Sequence, residues 1–434
     1  MQEHEVRRSC ATISCSHYSF VEFNPAWCDD PMRIAMIIQR FRPAFAGQGI
    51  QVEMLTQALT RRGIDVSIIT AAAGRDRSVE RLEGYSVVRL GSDPPRSLPG
   101  RWRQRLRGAA FAARVLSFLE SDRRHDVIHV HALTDALYSS YMWCWWHDIP
   151  LVFEMTLLGA DDASTLLSTR HRFAWLRRRI FGRCDGYVAI SPALQEKYRT
   201  AGLPPSKLRL VPQGVDLCRF SQGESKLAVR EDLGLPTHGP VIVFVGSLIH
   251  RKGIDVLLRA WSEVSAVRPD AHLVLVGRND FPEDVGAARF LREQLAQVPF
   301  DARPRLHQPG VCDDVHRWLQ ASDLFVFPSR REGFGSVMIE AMACGLPCIV
   351  TDQPGITDFI FGAAGDRGLV IPQEDHAAMS AAVLEMLRNP ERAAQIGLAA
   401  RDDVIRRFDI ERIADRYVSF YTDLQSGVET NFGV

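Results

Sequence analysis

Short apolar runs alternate with stretches of helical periodicity from Arg33 almost to the end of the 434-residue chain. Regular alternation of strand and helix patterns is typical of a parallel sheet covered by helices on both faces. A polar, turn-rich segment at 216–238 interrupts the pattern, which restarts at Val241. The sequence therefore predicts an α/β fold made of two tandem, doubly wound, Rossmann-like domains.

Periodicity and composition together suggest where the domains begin and end. We expect a poorly ordered extension at 1–31, a first domain at 32–215, a linker at 216–238, a second domain at 239–408, and a final helix with its tail at 409–434. The predicted strands are 33–38, 66–70, 86–90, 127–130, 151–153, 186–190, 208–211, 241–245, 273–276, 324–327, 348–350 and 369–371. The predicted helices lie near 50–62, 103–120, 134–146, 170–183, 192–200, 254–266, 285–297, 313–320, 336–343, 375–388, 390–406 and 410–424.

Composition excludes several classes of protein. No run approaches the ~18 apolar residues of a membrane-spanning helix, and the first twenty residues lack the apolar core of a secretory signal. The nine cysteines include no C-x-x-C pair, which fits a reducing, cytoplasmic compartment without a zinc site. The 52 Lys and Arg residues are balanced by 52 Asp and Glu residues, so nucleic acid is not an expected partner.

Two glycine-containing segments follow predicted strands, where open α/β sheets bind their ligands. Gly47 lies between the first predicted strand and the helix that follows it, and backbone N–H groups there would approach a phosphate; an ordinary tight turn is an equal alternative. Gly246 and Ser247 follow the first strand of the second domain. Arg251 and Lys252 come shortly after them and precede a helix. They would hold a diphosphate, or they form a solvated basic turn.

The most informative stretch follows a predicted buried strand of the second domain. Glu332 falls in the loop, and Gly333 and Gly335 open the backbone around it. A helix begins near Ser336, and Glu340 lies four residues into it, facing the same mouth. The stretch offers two carboxylates that accept hydroxyl groups and free N–H groups that bind an anion. This chemistry suits a sugar joined to a ribose through a diphosphate.

Residues 332–347 read E-G-F-G-x-x-x-x-E-A-M-A-C-G-x-P and resemble the signature of the family 4 retaining glycosyltransferases, or glycosyl transferases group 1. The similarity covers about residues 33–421. The supporting segments, in order, are 55–66, 126–131, 189–191, 211–216, 245–253 and 275–277.

The resemblance implies a GT-B fold, with two domains facing a cleft and a carboxy-terminal helix that crosses back onto the first domain. It implies that Glu332 contacts hydroxyls of the donor sugar, Glu340 holds the ribose hydroxyls, and Lys252 neutralises the departing diphosphate. No metal would be needed, because cations and helix dipoles stabilise the leaving group. Further donor contacts are implied at Gly47, Gly246, Ser247, Arg251, Gly310, Val311, Gly333, Phe334, Gly335 and Ser336.

The chain departs from the family pattern at two positions that bear on catalysis. Ser247 stands where an arginine is usual, so Arg251 would supply that phosphate contact, or the contact is missing. Many relatives carry a histidine just after the strand predicted at 151–153; Thr156 occupies that place here. Glu154 is the predicted functional substitute, so Glu332, Lys252, Glu154 and Thr156 form the predicted catalytic set.

The acceptor side is less determined by sequence. His131, at a strand end, is predicted to contact an acceptor hydroxyl, and a structural hydrogen-bonded histidine is an equal alternative. The basic stretches 101–107 and 170–181 would either lie on an anionic membrane surface or pack as ordinary outer helices.

The densest aromatic run is 141–146. We expect it to pack into the core with Met142, Trp145 and Trp146 on one buried face, because aromatic side chains contribute strongly to cores. A platform for stacking a sugar is the alternative.

The predicted function is that of a cytoplasmic retaining glycosyltransferase with a nucleoside-diphosphate sugar as donor and a sugar or lipid-linked sugar as acceptor. It would serve cell-surface polysaccharide or glycolipid synthesis, with peripheral contact to the inner membrane face as a further expectation. Two alternatives stay open: a nucleotide-sugar epimerase of the same fold, and a degenerate, non-catalytic binding protein, since fold alone does not determine function.

Overall fold

The computed structural model describes residues 30–43, 47–74, 76–82, 84–93, 100–168, 174–223, 225–280, 284–362 and 365–426. Met1–Pro31 and Met32–Val434 are separate units, and the fold is that of the second unit. The predicted extension at 1–31 lies, apart from Asp30 and Pro31, outside the described residues.

The first sheet is parallel except at one edge. Its strands are β1 (Arg33–Ile38), β2 (Asp65–Ala72), β3 (Arg77–Leu82), β4 (Tyr85–Gly91), β5 (Val127–His131), β6 (Leu151–Met155), β7 (Gly186–Ala189) and β8 (Leu208–Leu210). They lie in the order β3-β4-β2-β1-β5-β6-β7-β8, and only β3 and β4 are antiparallel. Strands β1, β5 and β6 are almost wholly buried, as expected for a sheet covered on both faces.

The second sheet has six strands and is parallel throughout. Its strands are β9 (Val241–Val245), β10 (His272–Val276), β11 (Leu306–Gly310), β12 (Leu324–Phe327), β13 (Cys348–Thr351) and β14 (Leu369–Ile371). They lie in the order β11-β10-β9-β12-β13-β14. The prediction of two doubly wound α/β domains is confirmed.

Two strands, β3 and β11, were not predicted from the sequence, and both lie at sheet edges. Strand β3 is exposed along nearly its whole length and carries two arginines and a glutamate, so it has no apolar run to recognise. Strand β11 contains Pro309 and pairs only with β10. Charged residues and proline are the features by which edge strands avoid further pairing.

Helices cover both sheets. They are α1 (Gly47–Thr60), α2 (Gly100–Ser121), α3 (Ala136–His147), α4 (Ala163–Leu166), α5 (Ala174–Phe181), α6 (Pro192–Thr200), α7 (Lys226–Asp232), α8 (Ile254–Val267), α9 (Val285–Ala296), α10 (Val315–Gln320), α11 (Ser336–Ala343), α12 (Thr357–Phe361), α13 (His376–Arg388), α14 (Pro390–Arg407) and α15 (Ile410–Ser426). Sequence analysis missed the short helices α4, α7 and α12. Within the described residues, no helix is both long and apolar enough to cross a membrane.

The expected orientation of the aromatic run in α3 is wrong. Met142, Trp145 and Trp146 are exposed, whereas Trp143 and Cys144 are buried. The buried stripe continues through Leu137 and Ser140, at the spacing of one helix face. Since nearly every residue of this helix is apolar or aromatic, periodicity alone did not identify the face that meets the sheet.

Two crossings join the domains. One passes through Val215 and the other through residues 408–410, and the two are paired: Val215 N–H donates to Phe408 O at 2.8 Å, and Ile410 N–H donates to Val215 O at 3.0 Å. Helix α15 then packs on α1 of the first domain, where Arg62 pairs with Glu411 at 2.5 Å and Asp415 at 2.6 Å. The predicted return of the last helix to the first domain is confirmed.

The predicted linker at 216–238 contains a helix that packs on the second domain. Arg230 of α7 is 4% exposed; its Nε donates to Ala321 O at 2.7 Å, and its guanidinium pairs with Asp323. Lys226 pairs with the same carboxylate at 2.7 Å from a more exposed position. The domain boundaries themselves stay a prediction.

We expect Arg230→Ala to lower the free energy of unfolding by about 3 kcal/mol, because it removes the buried partner of the Asp323 carboxylate and leaves the carbonyl oxygens of Ala321 and Gly239 without this donor. Lys226→Ala is the matched control, with an expected loss below about 1 kcal/mol. Thermal unfolding at pH 7 measures both. Equal losses in the two variants would contradict the packing of α7 on the second domain.

Candidate functional site

The candidate site lies where the strand order of the second sheet reverses. Strands β9 and β12 are parallel neighbours that are distant in sequence, so the segments after them meet at one edge. The first is the 3₁₀ turn His250–Lys252; the second, residues 328–335, is called the donor loop. Arg330 N–H donates to Arg251 O at 2.9 Å. A Cβ on Gly253 would overlap the carbonyl of Pro328, so only glycine permits this approach.

Glu332 is buried and forms the centre of the donor loop. Its Oε1 accepts hydrogen bonds from Lys252 Nζ and Ser329 Oγ, each at 2.5 Å, and lies 3.4 Å from the guanidinium of Arg251. Burial would raise the pKa of Glu332, but Lys252 and Arg251 outweigh it and lower the pKa below its ordinary value. Burial also lowers the pKa of Lys252, against the opposing effect of Glu332. The structure thus brings the predicted residues Arg251, Lys252 and Glu332 into contact.

Arg330 fixes the donor loop from its outer side, and sequence analysis missed it. Its guanidinium donates to both carboxylate oxygens of Asp255 at 2.8 Å and also pairs with Glu374. Such bidentate pairs impose orientation as well as attraction. The adjacent basic pair at 330–331 was visible in the sequence, but its acidic partners are 75 and 44 residues away.

Glu340 occupies a different electrostatic environment. It lies on α11, which begins after Gly335 in a left-handed conformation (φ = 81°) and has no side chain capping its first turn. No hydrogen bond from any described residue reaches the Glu340 carboxylate. Burial raises its pKa to about 7, although Arg219 acts in the opposite direction. Helix α11 therefore presents an open acceptor and an uncapped N-terminus, which attracts anions.

The first domain meets the donor loop through residues 156–162, called the cleft turn. Thr156 Oγ donates to Asp161 at 2.6 Å. A Cβ on Gly333 would overlap the Thr156 carbonyl oxygen, so the two segments touch beside Glu332. The hydroxyl of Thr156 is thus bonded within the cleft turn, and its predicted catalytic role stays a prediction.

Glu154 and His131 lie together in a buried network below α15. Glu154 accepts a hydrogen bond from Tyr417 at 2.7 Å, and His131 Nδ1 is 3.3 Å from its other oxygen. His129 shares a hydrogen bond with Tyr421 at 2.7 Å, and burial, together with His131, lowers the pKa of His129 well below its ordinary value. The predicted catalytic role of Glu154 and acceptor role of His131 stay predictions.

Ligand-type atoms of His129, His131 and Glu154 lie within 4.8 Å of one another. Neighbouring ligands of a tetrahedral zinc ion are about 3.4 Å apart, given bond lengths near 2.1 Å. His129 Nε2 is 3.9 Å from Glu154, and Glu154 is already bonded to Tyr417. As arranged, Glu154 and His129 are each hydrogen bonded to a tyrosine of α15, whereas both ring nitrogens of His131 lack a hydrogen-bond partner among the described residues. The cluster borders a cavity of about 20 Å³ lined by Gln51, Gln213 and other side chains, large enough for about one water molecule.

Gly246, Ser247, Gly310, Val311 and Gly47 follow or begin other elements of the fold, and none of them forms a described hydrogen bond with Glu332. Gly246 follows β9 and donates to Val276 O at 2.9 Å, with Ser247 beside it. Gly310 ends β11, two strands away, and Val311 next to it is exposed. Gly47 opens α1 in the first domain; the preceding residues 44–46 lie outside the described residues.

Comparison with known proteins gives matches to both domains. Residues 45–219 match the family model described as Glycosyltransferase Family 4, and residues 239–389 match the one described as Glycosyl transferases group 1. D-inositol 3-phosphate glycosyltransferase of Acidothermus cellulolyticus is 28% identical over 382 residues, covering 82% of this chain and 83% of that protein.

Solved structures with the same architecture cover nearly the whole chain. Sucrose-phosphate synthase of Thermosynechococcus elongatus has a TM-score of 0.76 at 25% identity and covers 92% of this chain and 100% of its own. HepE of Anabaena, solved with UDP and glucose, has a TM-score of 0.70 at 19% identity and covers 90% of this chain and 99% of its own. The second likeness concerns the fold alone.

The opposite pKa shifts of the two glutamates predict opposite effects on stability. A folded-state pKa near 7 for Glu340 means that the folded protein loses stability as pH rises from about 4.5 to 7. Glu340→Gln removes this loss, so its unfolding temperature should exceed that of wild type by several degrees at pH 8 and approach it at pH 5.

Glu332→Gln is the matched comparison. In the wild-type protein the Glu332 carboxylate has a lowered pKa. Its charged form therefore stabilises the fold above the pKa of the unfolded state, and this stabilisation is lost as the pH falls. The variant should therefore unfold at a lower temperature than wild type at pH 8. Thermal unfolding from pH 5 to 8 measures both, and a shift of the same sign in both variants would contradict the assignment.

Proposed function

Because this chain belongs to the family 4 glycosyltransferases, we propose that it transfers a sugar from a nucleoside-diphosphate sugar to an acceptor hydroxyl with retention of anomeric configuration. The observation that carries the proposal is the arrangement around α11. A cation-paired buried carboxylate precedes the helix, and a second buried carboxylate without a hydrogen-bond partner among the described residues lies within it.

The donor binds through three kinds of group. Lys252 and Arg251 neutralise the diphosphate, together with the uncapped N-terminus of α11, and this stabilises negative charge as the leaving group departs. Glu332 accepts hydrogen bonds from hydroxyls of the sugar, and Glu340 accepts them from the ribose. These charges and dipoles supply what a divalent metal supplies elsewhere, so the reaction needs no metal.

Retention follows if the leaving phosphate takes the proton of the acceptor hydroxyl on the face from which it departs. The chain then needs no protein nucleophile. Glu154 and Thr156 stay candidates for orienting the acceptor, although both are hydrogen bonded within the first domain or to α15. His131 stays the candidate contact to an acceptor hydroxyl.

The biological role that we propose is synthesis of a cell-surface polysaccharide or glycolipid on the cytoplasmic side, with a lipid-linked acceptor. The first domain supports membrane contact in two places. Met142, Trp145 and Trp146 project from α3 and are 55% to 77% exposed. In α5, exposed Trp175 accompanies exposed arginines. Aromatic side chains favour the membrane interface, and each basic residue near an anionic surface contributes about 1 kcal/mol.

The decisive experiment identifies the donor and follows its fate. Purified protein is first screened by thermal shift with UDP-, GDP-, ADP-, CDP- and TDP-sugars, because a ligand at 100 times its Kd adds about 2.7 kcal/mol of stability. With the donor identified, transfer should yield a product of unchanged anomeric configuration by NMR. Glu332→Gln and Glu340→Gln should each lower transfer by about 100-fold.

Glu385→Gln, which changes an exposed acid of α13 paired with Arg392, is the control and should transfer at the wild-type rate. Wild-type rates in both site variants would refute the donor site, and an inverted product would refute retention. Conversion of the donor without any acceptor would favour the epimerase. Donor binding without turnover would favour the non-catalytic protein.

Membrane contact has a separate test. The double variant Trp145→Ser, Trp146→Ser should lower sedimentation with vesicles of anionic phospholipid at least about fivefold, because it removes two interfacial anchors. Phe300→Ser, at an equally exposed apolar residue of the second domain, is the control and should bind like wild type. Unchanged binding by the double variant, or no binding by wild type, would refute the membrane proposal.

A further inference from the structure

Asp161 organises the first residues of the cleft turn. Its Oδ1 accepts hydrogen bonds from the backbone N–H groups of Thr156 at 3.0 Å and Leu157 at 2.7 Å. Its Oδ2 accepts the Thr156 hydroxyl at 2.6 Å. Three donors of two consecutive residues thus converge on one carboxylate, which fixes the backbone just after β6.

The part of the turn that Asp161 fixes is the part that contacts the other domain. The Thr156 carbonyl oxygen lies where a Cβ of residue 333 would be, and Gly333 alone permits this. Gly159, in the same turn, packs against the guanidinium of Arg331. Both contacts fall on residues adjacent to Glu332, so a displacement of the turn is transmitted directly to the donor loop.

Asp161 acts through geometry and not as a charge facing the substrate. It is 4% exposed, and no arginine or lysine among the described residues pairs with it. Burial raises its pKa despite the three hydrogen bonds. A buried acceptor saturated by the chain's own donors contributes by holding those donors in place.

We propose that Asp161 is a positioning residue for glycosyl transfer: it holds the Thr156 carbonyl against Gly333, and so aligns the first domain with the donor loop at Glu332. This inference rests on the proposed function. It adds a residue outside the predicted catalytic set, on the turn that in this chain carries threonine in place of the usual histidine.

The test compares kcat, KM and donor affinity in Asp161→Ala and Asp161→Asn. The alanine variant loses all three hydrogen bonds to the Asp161 carboxylate, and kcat should fall about 10- to 100-fold, the usual effect of a small misplacement of reacting groups. Donor Kd by thermal shift should stay within twofold, because the donor-binding side chains belong to the second domain. The asparagine variant keeps one oxygen for the two N–H groups, and its amide can donate to the Thr156 hydroxyl. It should restore kcat to within about fivefold of wild type.

Asp185→Ala is the matched control for lost stability. Asp185 accepts a hydrogen bond from Leu151 N–H at 2.9 Å, at the opposite end of the same strand β6. The Asp185→Ala variant should lower the unfolding temperature without lowering kcat. Equal kcat losses in Asp161→Ala and Asp185→Ala, or an unchanged kcat in Asp161→Ala, would refute positioning. A loss in Asp161→Asn as large as in Asp161→Ala would show that the charge matters and also refute it.

Gly333→Ala tests the same contact from the other domain. It leaves Asp161 unchanged, so the test remains available if the Asp161 variants fail to fold. It should lower kcat, because the added methyl displaces the Thr156 carbonyl. In the double variant with Asp161→Ala the losses should be less than additive, since both remove one contact; fully additive losses would refute the proposal. Absence of any transfer by wild type would instead refute the proposed function.

Discussion

The buried ion pair between Lys252 and Glu332 ties the topology of the second domain to its chemistry. A carboxylate removed from water requires cations and hydrogen-bond donors around it. Here they come from the segment after β9 and from the donor loop after β12. These segments are neighbours only because the order in which strands are added to the sheet reverses after β11, which places β12 beside β9. The pair, the close approach at Gly253 and the outer clamp at Arg330 all depend on that one adjacency.

The two glutamates of the signature sequence have opposite electrostatic states. Glu332 lies among cations and its pKa is lowered, whereas Glu340 lies on a buried helix face and its pKa is raised to about 7. Near neutral pH the ionised Glu332 carboxylate stabilises the fold, whereas the buried Glu340 carboxylate lowers the stability of the fold. A buried acceptor that has no hydrogen-bond partner among the described residues, and that lowers stability, is typical of a binding site. The same short segment therefore contains a charge that supports the loop and one that is available to a ligand.

Contacts between the domains involve both crossings, α15 and the cleft turn. The backbone pairing of Val215 with Phe408 and Ile410 joins the two crossings, and α15 lies over the buried network of Glu154, His131 and Tyr417. The cleft turn then touches the donor loop at Gly333. The cleft turn thus contacts the donor loop through backbone groups, whereas the cations that pair with Glu332 belong to the second domain.

Periodicity alone determined the two doubly wound domains, because buried parallel strands are continuous apolar runs. Local spacing also identified Glu332, Lys252 and Glu340, since each lies in the loop or the helix that follows a buried strand. The exposed strand β3, the buried face of α3 and the partners of Arg330 were decided only by tertiary structure. They depend on which surfaces meet, and residues 75 positions apart, such as Asp255 and Arg330, leave no local pattern. The role of Asp161 has the same origin: its hydrogen bonds are local, but their importance comes from Gly333 in the other domain, which only the folded chain brings against Thr156.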